Sequence, residues 1–219
     1  MNVLALDGAL GEFSVAVVAD ESVRAARRKA GNVALERGLS LVSDVLAETK
    51  LAPSAIGRIA TGCGPGGFTG LRIAIAYAKS LAQAWNRPLT AIDSFDALEY
   101  GLELESALTV VVGRPGVISA RYRSSAVAVR ASGWIADVLD QIAPSLDSAG
   151  RQPLPVVGAP KDVLAALAER AMVIRSVDPM VTPVASAIGL LASSRPPARS
   201  LHEVRADYGE LPAAKVPKR

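Results

Sequence analysis

Short apolar runs broken by turns, followed by a helical spacing, occur twice along this chain. Val3 to Leu6 is an apolar run that ends at Asp7-Gly8, a turn signal, and Ser14 to Val18 is a second run of β type. Ser22 to Lys29 is a polar third strand of the kind found at a sheet edge. Leu35, Leu39, Val42 and Leu46 then recur at helical spacing. Arg58 to Thr61 reads as a strand and Thr69 to Trp85 as a long helix. Arg87-Pro88 stops that helix, because proline cannot continue it. Leu89 to Ile92 is the next strand, and Asp93 or Ser94 caps a short helix ending near Gly101.

The second half repeats the order. Leu108 to Val112, Val117 to Tyr122 and Ala126 to Arg130 are strands, and Trp134 to Ile142 is a helix. Leu154 to Val157 is a strand, Asp162 to Ala171 a helix, Val173-Ile174 a very short strand and Val184 to Ala192 a last helix. Both halves read βββαβαβα, which predicts an internal duplication. Strands joined by helices predict an α/β protein with covered sheets. The predicted fold is therefore two-lobed and duplicated, with ribonuclease-H-like lobes. It resembles the superfold of sugar kinases, actin and heat-shock chaperone ATPases, with the second lobe the degenerate copy. The division falls at 1–104 and 105–197, with Gly150 to Pro155 a loop inside the second lobe. A tail, 198–219, packs back on the first lobe.

The most informative stretch follows a strand and opens a helix: Gly62-Cys63-Gly64-Pro65-Gly66-Gly67-Phe68-Thr69-Gly70-Leu71-Arg72. Its glycines permit positive φ and close backbone approach. Thr69 is placed to cap the helix, whose positive end can take an anion. Gly62, Gly64 and Gly67 match the dinucleotide fingerprint G-x-G-x-x-G, with Asp93 after the next strand as a ribose-binding acid. Three predicted strands precede the loop, however, whereas that fold opens with it, and Pro65 stiffens the turn. No Gly-Lys-Ser/Thr follows, so this is not a Walker A loop.

The run from Gly64 to Ile73, continued by Ala78-Lys79-Ser80-Leu81-Ala82, resembles the distinctive stretch of the TsaB (YeaZ) family, where the usual form is G-P-G-S-F-T-G-L-R with A-K-G-L-A beyond it. Gly67 stands here in the serine position. Val3 to Asp7 looks like the family's opening strand, Leu89 to Ser94 its next strand, and Tyr208 falls where a C-terminal tyrosine is common. The resemblance implies a catalytically degenerate paralogue of TsaD, the transferase that places threonylcarbamoyl on a tRNA adenosine beside the anticodon. It also implies a TsaD-type partner in a heterodimer, a TsaE-type ATPase alongside, a homodimer when the chain is alone, and tRNA contact only within the complex. The motif residues so implied are Gly64, Pro65, Gly66, Phe68, Thr69, Gly70, Leu71 and Arg72. The chain departs from the family at Gly8-Ala9, where Thr-Ser is usual, at Ala34-Leu35-Glu36 in place of His-Ser-Glu, and at Val112-Gly113-Arg114 in place of Asp-Ala-Arg. Each change removes a polar group expected at the cleft between the lobes.

Composition narrows the chemistry. Half the residues are hydrophobic and 21% are charged, as in a globular protein. No apolar run reaches the ~20 residues of a membrane span, and Met1 to Leu10 lacks a basic leader, so a soluble cytoplasmic protein is expected. The net charge of +3, with Arg24, Arg27, Arg28 and Lys29 clustered, allows a weak pull on RNA, although a solvated strand edge explains it equally. Aromatics at 4% argue against a base-stacking platform. His202 is the only histidine, so a His-pair metal site cannot be built. Cys63, the only cysteine, reads as a small residue at a tight turn rather than a reactive thiol. Asp7 is the best catalytic candidate, since kinases of this superfold hold magnesium and phosphates with carboxylates from the first turn of each lobe. The corresponding second turn, Gly113-Arg114-Pro115-Gly116, has no acid, and Asp7 reads instead as a turn-capping residue. The expectation is no catalytic, cofactor or metal residue. The alternatives are an active ATP-dependent phosphotransferase, a nucleotide-binding module of another kind, and a protease, for which no catalytic arrangement is visible.

The two long helices of the first lobe carry the expected partner surface. Leu71, Ile75, Ala78, Ala82 and Trp85 form a narrow seam flanked by alanines, and Leu35, Leu39, Val42 and Leu46 a second one, widened by Leu41 and Val45. A helix on one side of a sheet needs only one apolar face, so the surplus predicts an interface. The competing reading packs all of it on the protein's own sheet.

Overall fold

The computed structural model describes residues 1–30, 38–146 and 153–209. In the first lobe, β1 (Asn2–Asp7), β2 (Glu12–Ala19) and β3 (Ser22–Ala30) are followed by α1 (Gly38–Thr49), β4 (Ile56–Gly64), α2 (Phe68–Ala84), β5 (Leu89–Asp93) and α3 (Ser94–Glu99). The second has β6 (Ala107–Arg114), β7 (Val117–Arg123), β8 (Ala128–Trp134), α4 (Ile135–Leu146), β9 (Leu154–Val157), α5 (Lys161–Glu169), β10 (Ile174–Val177) and α6 (Val184–Ser194). One sheet runs β3-β2-β1-β4-β5 and the other β8-β7-β6-β9-β10. In each, the first three strands pair antiparallel and the next two join in parallel. The repeat predicted from the sequence is thus a repeat of topology. Leu35, and Ala34 and Glu36 beside it, lie outside the described residues, as do the first half of the Gly150 to Pro155 loop and the last ten residues. No described helix is long and apolar enough to cross a membrane.

Strand β1 reads as one apolar run because both its faces are covered. Leu4 and Leu6 face α1 and α2, together with Phe13, Val15 and Val17 of β2. Val3 and Ala5 alternate to the opposite face. There they meet Ala185, Ala187, Ile188 and Ala192 of α6. Helix α6, the last element of the second repeat, therefore packs on the first sheet, so residues 184–194 of the expected second lobe complete the first. Nothing in its local pattern announces this: four alanines and glycines let it lie close, and a side chain at Gly189 would run into Val18. The second lobe fills its own core from β6, β7 and β9 against α4 and α5, with Tyr122, Val138, Ile142 and Leu167 fully buried.

Two features set the lobes against each other. Helix α3 sits at the junction, where Phe95 and Leu98 pack with Ala107, Val111 and Val157 of the second sheet. Asp93 is its cap, accepting the Phe95 N–H at 2.8 Å. The tail returns to the first lobe: Ala198 N–H donates to Leu89 O, Val204 is buried, and Leu201, Ala206 and Tyr208 lie against the same core. At the opposite edge, β3 exposes its basic residues, and Arg24, Arg27 and Arg28 pair with Asp20, Glu48 and Glu12. Charges so neutralised fit a solvated strand edge better than an RNA track.

Candidate functional site

The glycine loop lies between the end of β4 at Gly64 and the start of α2 at Phe68. Gly67 is the N-cap, and no side chain caps the helix. Thr69 sits exposed within the first turn, so the expectation that it caps α2 is corrected. The physical reason is that backbone from the β1–β2 turn already occupies that end. Gly67 N–H donates to Ala9 O at 2.7 Å. Gly8 and Gly70 cross backbone to backbone, and a Cβ on either would overlap the other's carbonyl. Gly70 is thus required for close approach, not for a positive φ; the left-handed residue of the loop is Gly64, at φ +104°. Glycine at both positions is what lets this crossing fit.

Asp7, at the head of that turn, is 1% exposed. Its Oδ2 accepts the Ala9 N–H at 3.1 Å, the turn-capping role read from the sequence. Its Oδ1 is buried with no partner among the described residues. Burial pushes the carboxyl up to about 7. A carboxylate sealed in this way faces neither lobe's surface. Two adjoining cavities of about 360 and 380 Å³ form the cleft between the lobes. Gly8, Glu12, Phe68, Gly113 and Arg114 line the first, with Glu12 its one acid among the described residues, and Leu10, Leu98, Val112 and Gly158 line part of the second. Gly113 therefore does lie at the cleft, as expected, and contributes backbone only. Cys63 is raised to about 11 by burial and by neighbouring acids, so its thiol stays protonated at neutral pH. No group of three or more potential metal ligands occurs among the described residues.

The outer side of the loop carries a cluster that residue spacing does not reveal. Arg72 lies over the Phe68 ring, 4.0 Å from its centroid, and its Nε donates to the Tyr208 hydroxyl at 2.8 Å. Phe68 and Tyr208 stack at 4.8 Å. One residue earlier, Asp207 N–H donates to Cys63 O. The motif loop thus fastens the tail: Gly64 and Pro65 are buried beneath it, while Phe68 remains 46% exposed.

The expected partner seam needs a larger correction. Val42, Leu71, Ile75, Ala78 and Ala82 are all buried against the first sheet, with Leu41 and Val45, and Leu46 is partly buried there. The surplus apolar surface of α1 and α2 serves their own core, because β1 and β2 present a wide apolar floor. Leu39 alone of the described seam residues is well exposed, at 47%. The exposed positions of the two helices include small side chains, Ser43 and Ala47 on α1 and Ala76, Ser80 and Ala84 on α2, alongside the longer Asp44, Glu48, Arg72 and Gln83.

Comparison with known proteins accords with this architecture. Residues 29–193 match the family model described as TsaD: tRNA N6-adenosine threonylcarbamoyltransferase. The tRNA threonylcarbamoyladenosine biosynthesis protein TsaB of Escherichia coli (strain K12) is 31% identical over 112 residues, covering 51% of this chain and 48% of the relative. The chain spans about half the length of the curated relatives it matches. Among solved structures, an uncharacterized protein with similarity to peptidase YEAZ from Pseudomonas aeruginosa has a TM-score of 0.71, at 21% identity, over 95% of this chain and 99% of that one. The ethanolamine utilization protein EutJ from Carboxydothermus hydrogenoformans shares the fold with a TM-score of 0.50 at 14% identity, covering 87% of this chain and 89% of that one. The fold is the two-lobed actin and sugar-kinase type, and the chain belongs to the family described as TsaD: tRNA N6-adenosine threonylcarbamoyltransferase.

Proposed function

We propose that this chain is a non-catalytic subunit that binds a TsaD-type transferase and supports threonylcarbamoylation of tRNA adenosine beside the anticodon. The observation that carries the reading is the filled turn at the head of α2. In an active member of this superfold that end must stay open to phosphate, with a carboxylate beside it. Here Ala9 O takes the Gly67 N–H, and Asp7 is buried. The docking surface is the outer face of α1 and α2, where Ala47, Ala76 and Ser80 let another helix pair approach closely, bordered by Leu39 and Phe68. A TsaE-type ATPase joins the pair, and without the transferase the same face pairs two copies of this chain.

The test is co-purification with the paralogous transferase, followed by tRNA threonylcarbamoylation with and without this chain. Activity of the transferase should depend on it. Changing Ala76→Arg with Leu39→Asp should abolish binding and activity together while the circular dichroism stays native, since a buried unpaired charge at an interface is costly. Full activity without this chain, or wild-type binding by the folded variant, refutes the reading. The competing phosphotransferase would instead show magnesium-dependent ATP turnover by the isolated protein, lost in Asp7→Ala.

A further inference from the structure

Packing is not all that joins the lobes at α3; charge does so too. Arg121, on β7 of the second lobe, has a side chain only 11% exposed and reaches Asp96 at 2.6 Å and Glu99 at 2.9 Å. Arg123 pairs with Glu99, which also accepts the Thr109 hydroxyl. Arg130, on β8, reaches Asp93 at 2.9 Å, and Arg195, just beyond α6, reaches Asp96 at 2.8 Å. The guanidinium groups of Arg121 and Arg130 also lie over the Phe95 ring, 5.1 and 5.2 Å from its centroid. Every acid of α3 and its cap is therefore held by an arginine of the second lobe. Burial raises the Asp96 carboxyl, but the hydrogen bonds and charges of Arg121 and Arg195 outweigh it, leaving it below the ordinary value.

The tail forms a second tie across the same seam. Asp207 is hydrogen-bonded to Cys63 in the first lobe. Gly209 lies so close to Ser119 and Ser132 of the second lobe that a side chain there would overlap them. Opening the cleft would pull the buried Glu99 and the partly buried Asp96 away from their arginines, which is costly for unpaired charge. Closing it would press α3 into the packed layer of Ala107, Val111 and Val157.

We infer that the α3 ion network and the tail strap fix the angle between the lobes, so that the chain works as a rigid body and not as a hinged clamp. This concerns the chain alone and stands apart from its docking on a transferase. The experiment places spin labels at Ser54→Cys in the first lobe and Ala168→Cys in the second, in a Cys63→Ser background, and reads the distance distribution by pulsed electron spin resonance. The unmutated network should give one narrow distribution, unmoved by magnesium-ATP. Removing the buried pair with Arg121→Met and Asp96→Asn should at least double its width. If that variant does not fold, Arg123→Gln with Arg130→Gln carries the test, since those side chains are 32% and 51% exposed. A broad or nucleotide-shifted distribution in the parent protein overturns the inference, as does an unchanged narrow one in a folded network variant.

Discussion

Replacing Asp7 by asparagine tests the reading of the first turn most directly. The native carboxyl holds its proton up to about pH 7, whereas in the unfolded chain it ionises near 3.8. Between those values the native state binds one more proton than the unfolded state, so stability falls as pH rises. Above the native value the whole difference is lost: about three pH units at about 1.4 kcal/mol each, or about 4 kcal/mol. Asparagine keeps an oxygen to accept the Ala9 N–H but cannot ionise. Its amide brings its own burial cost of about 1–3 kcal/mol, so the absolute offset is uninformative and the slope is the readout. Urea unfolding at several pH values should show Asp7→Asn gaining on the wild type by about 2.5 kcal/mol between pH 5 and pH 8. Parallel curves for the two proteins across that range would falsify the claim that a sealed carboxyl heads this turn.

Gly70→Val should lower the melting temperature sharply, because its side chain meets the Gly8 carbonyl, while Thr69→Ala should shift stability by less than about 0.5 kcal/mol, as for a surface change with no cap to lose. Ile75→Asp should give unfolded or aggregated protein by circular dichroism and size exclusion, in contrast to the folded Ala76→Arg, since one faces the sheet and the other faces out. Tyr208→Phe should cost about 1 kcal/mol or less in thermal unfolding, the net worth of the hydrogen bond from Arg72, because the ring stack on Phe68 survives.

Much of the architecture was legible because it depends on local pattern. The two βββαβαβα orders, the proline stop after α2 and the Asp93 cap are set by neighbours a few residues apart. What escaped is set by distance. Whether Ile75 faced a partner or its own sheet depended on how broad an apolar floor β1 and β2 would present, which the helix's own periodicity does not encode. Thr69 had the right chemistry for a cap, but the helix starts at Phe68 with Gly67 as its N-cap, which leaves Thr69 inside the first turn. The clasp of Arg72 on Tyr208 links residues 136 apart, and only the coincidence of a motif arginine with a tail tyrosine hinted at it. The glycines of the loop were readable as a demand for close approach, though not as to which backbone would come close.

The seat of α6 on the first sheet bears on how the chain matures as it leaves the ribosome. Domains generally fold in the order in which they emerge. Here the second lobe draws its core from residues 108–174 and can close once its last strand, Ile174–Val177, is out. The first lobe emerges earlier, yet Val3, Ala5, Ala16 and Val18 stay bare on one side until residues 184–194 arrive to cover them. The N-terminal half is therefore finished last, by a helix delivered from the far end of the chain. A nascent chain stalled before residue 184 would hold one completed lobe and one with a naked apolar face, the substrate on which a chaperone acts.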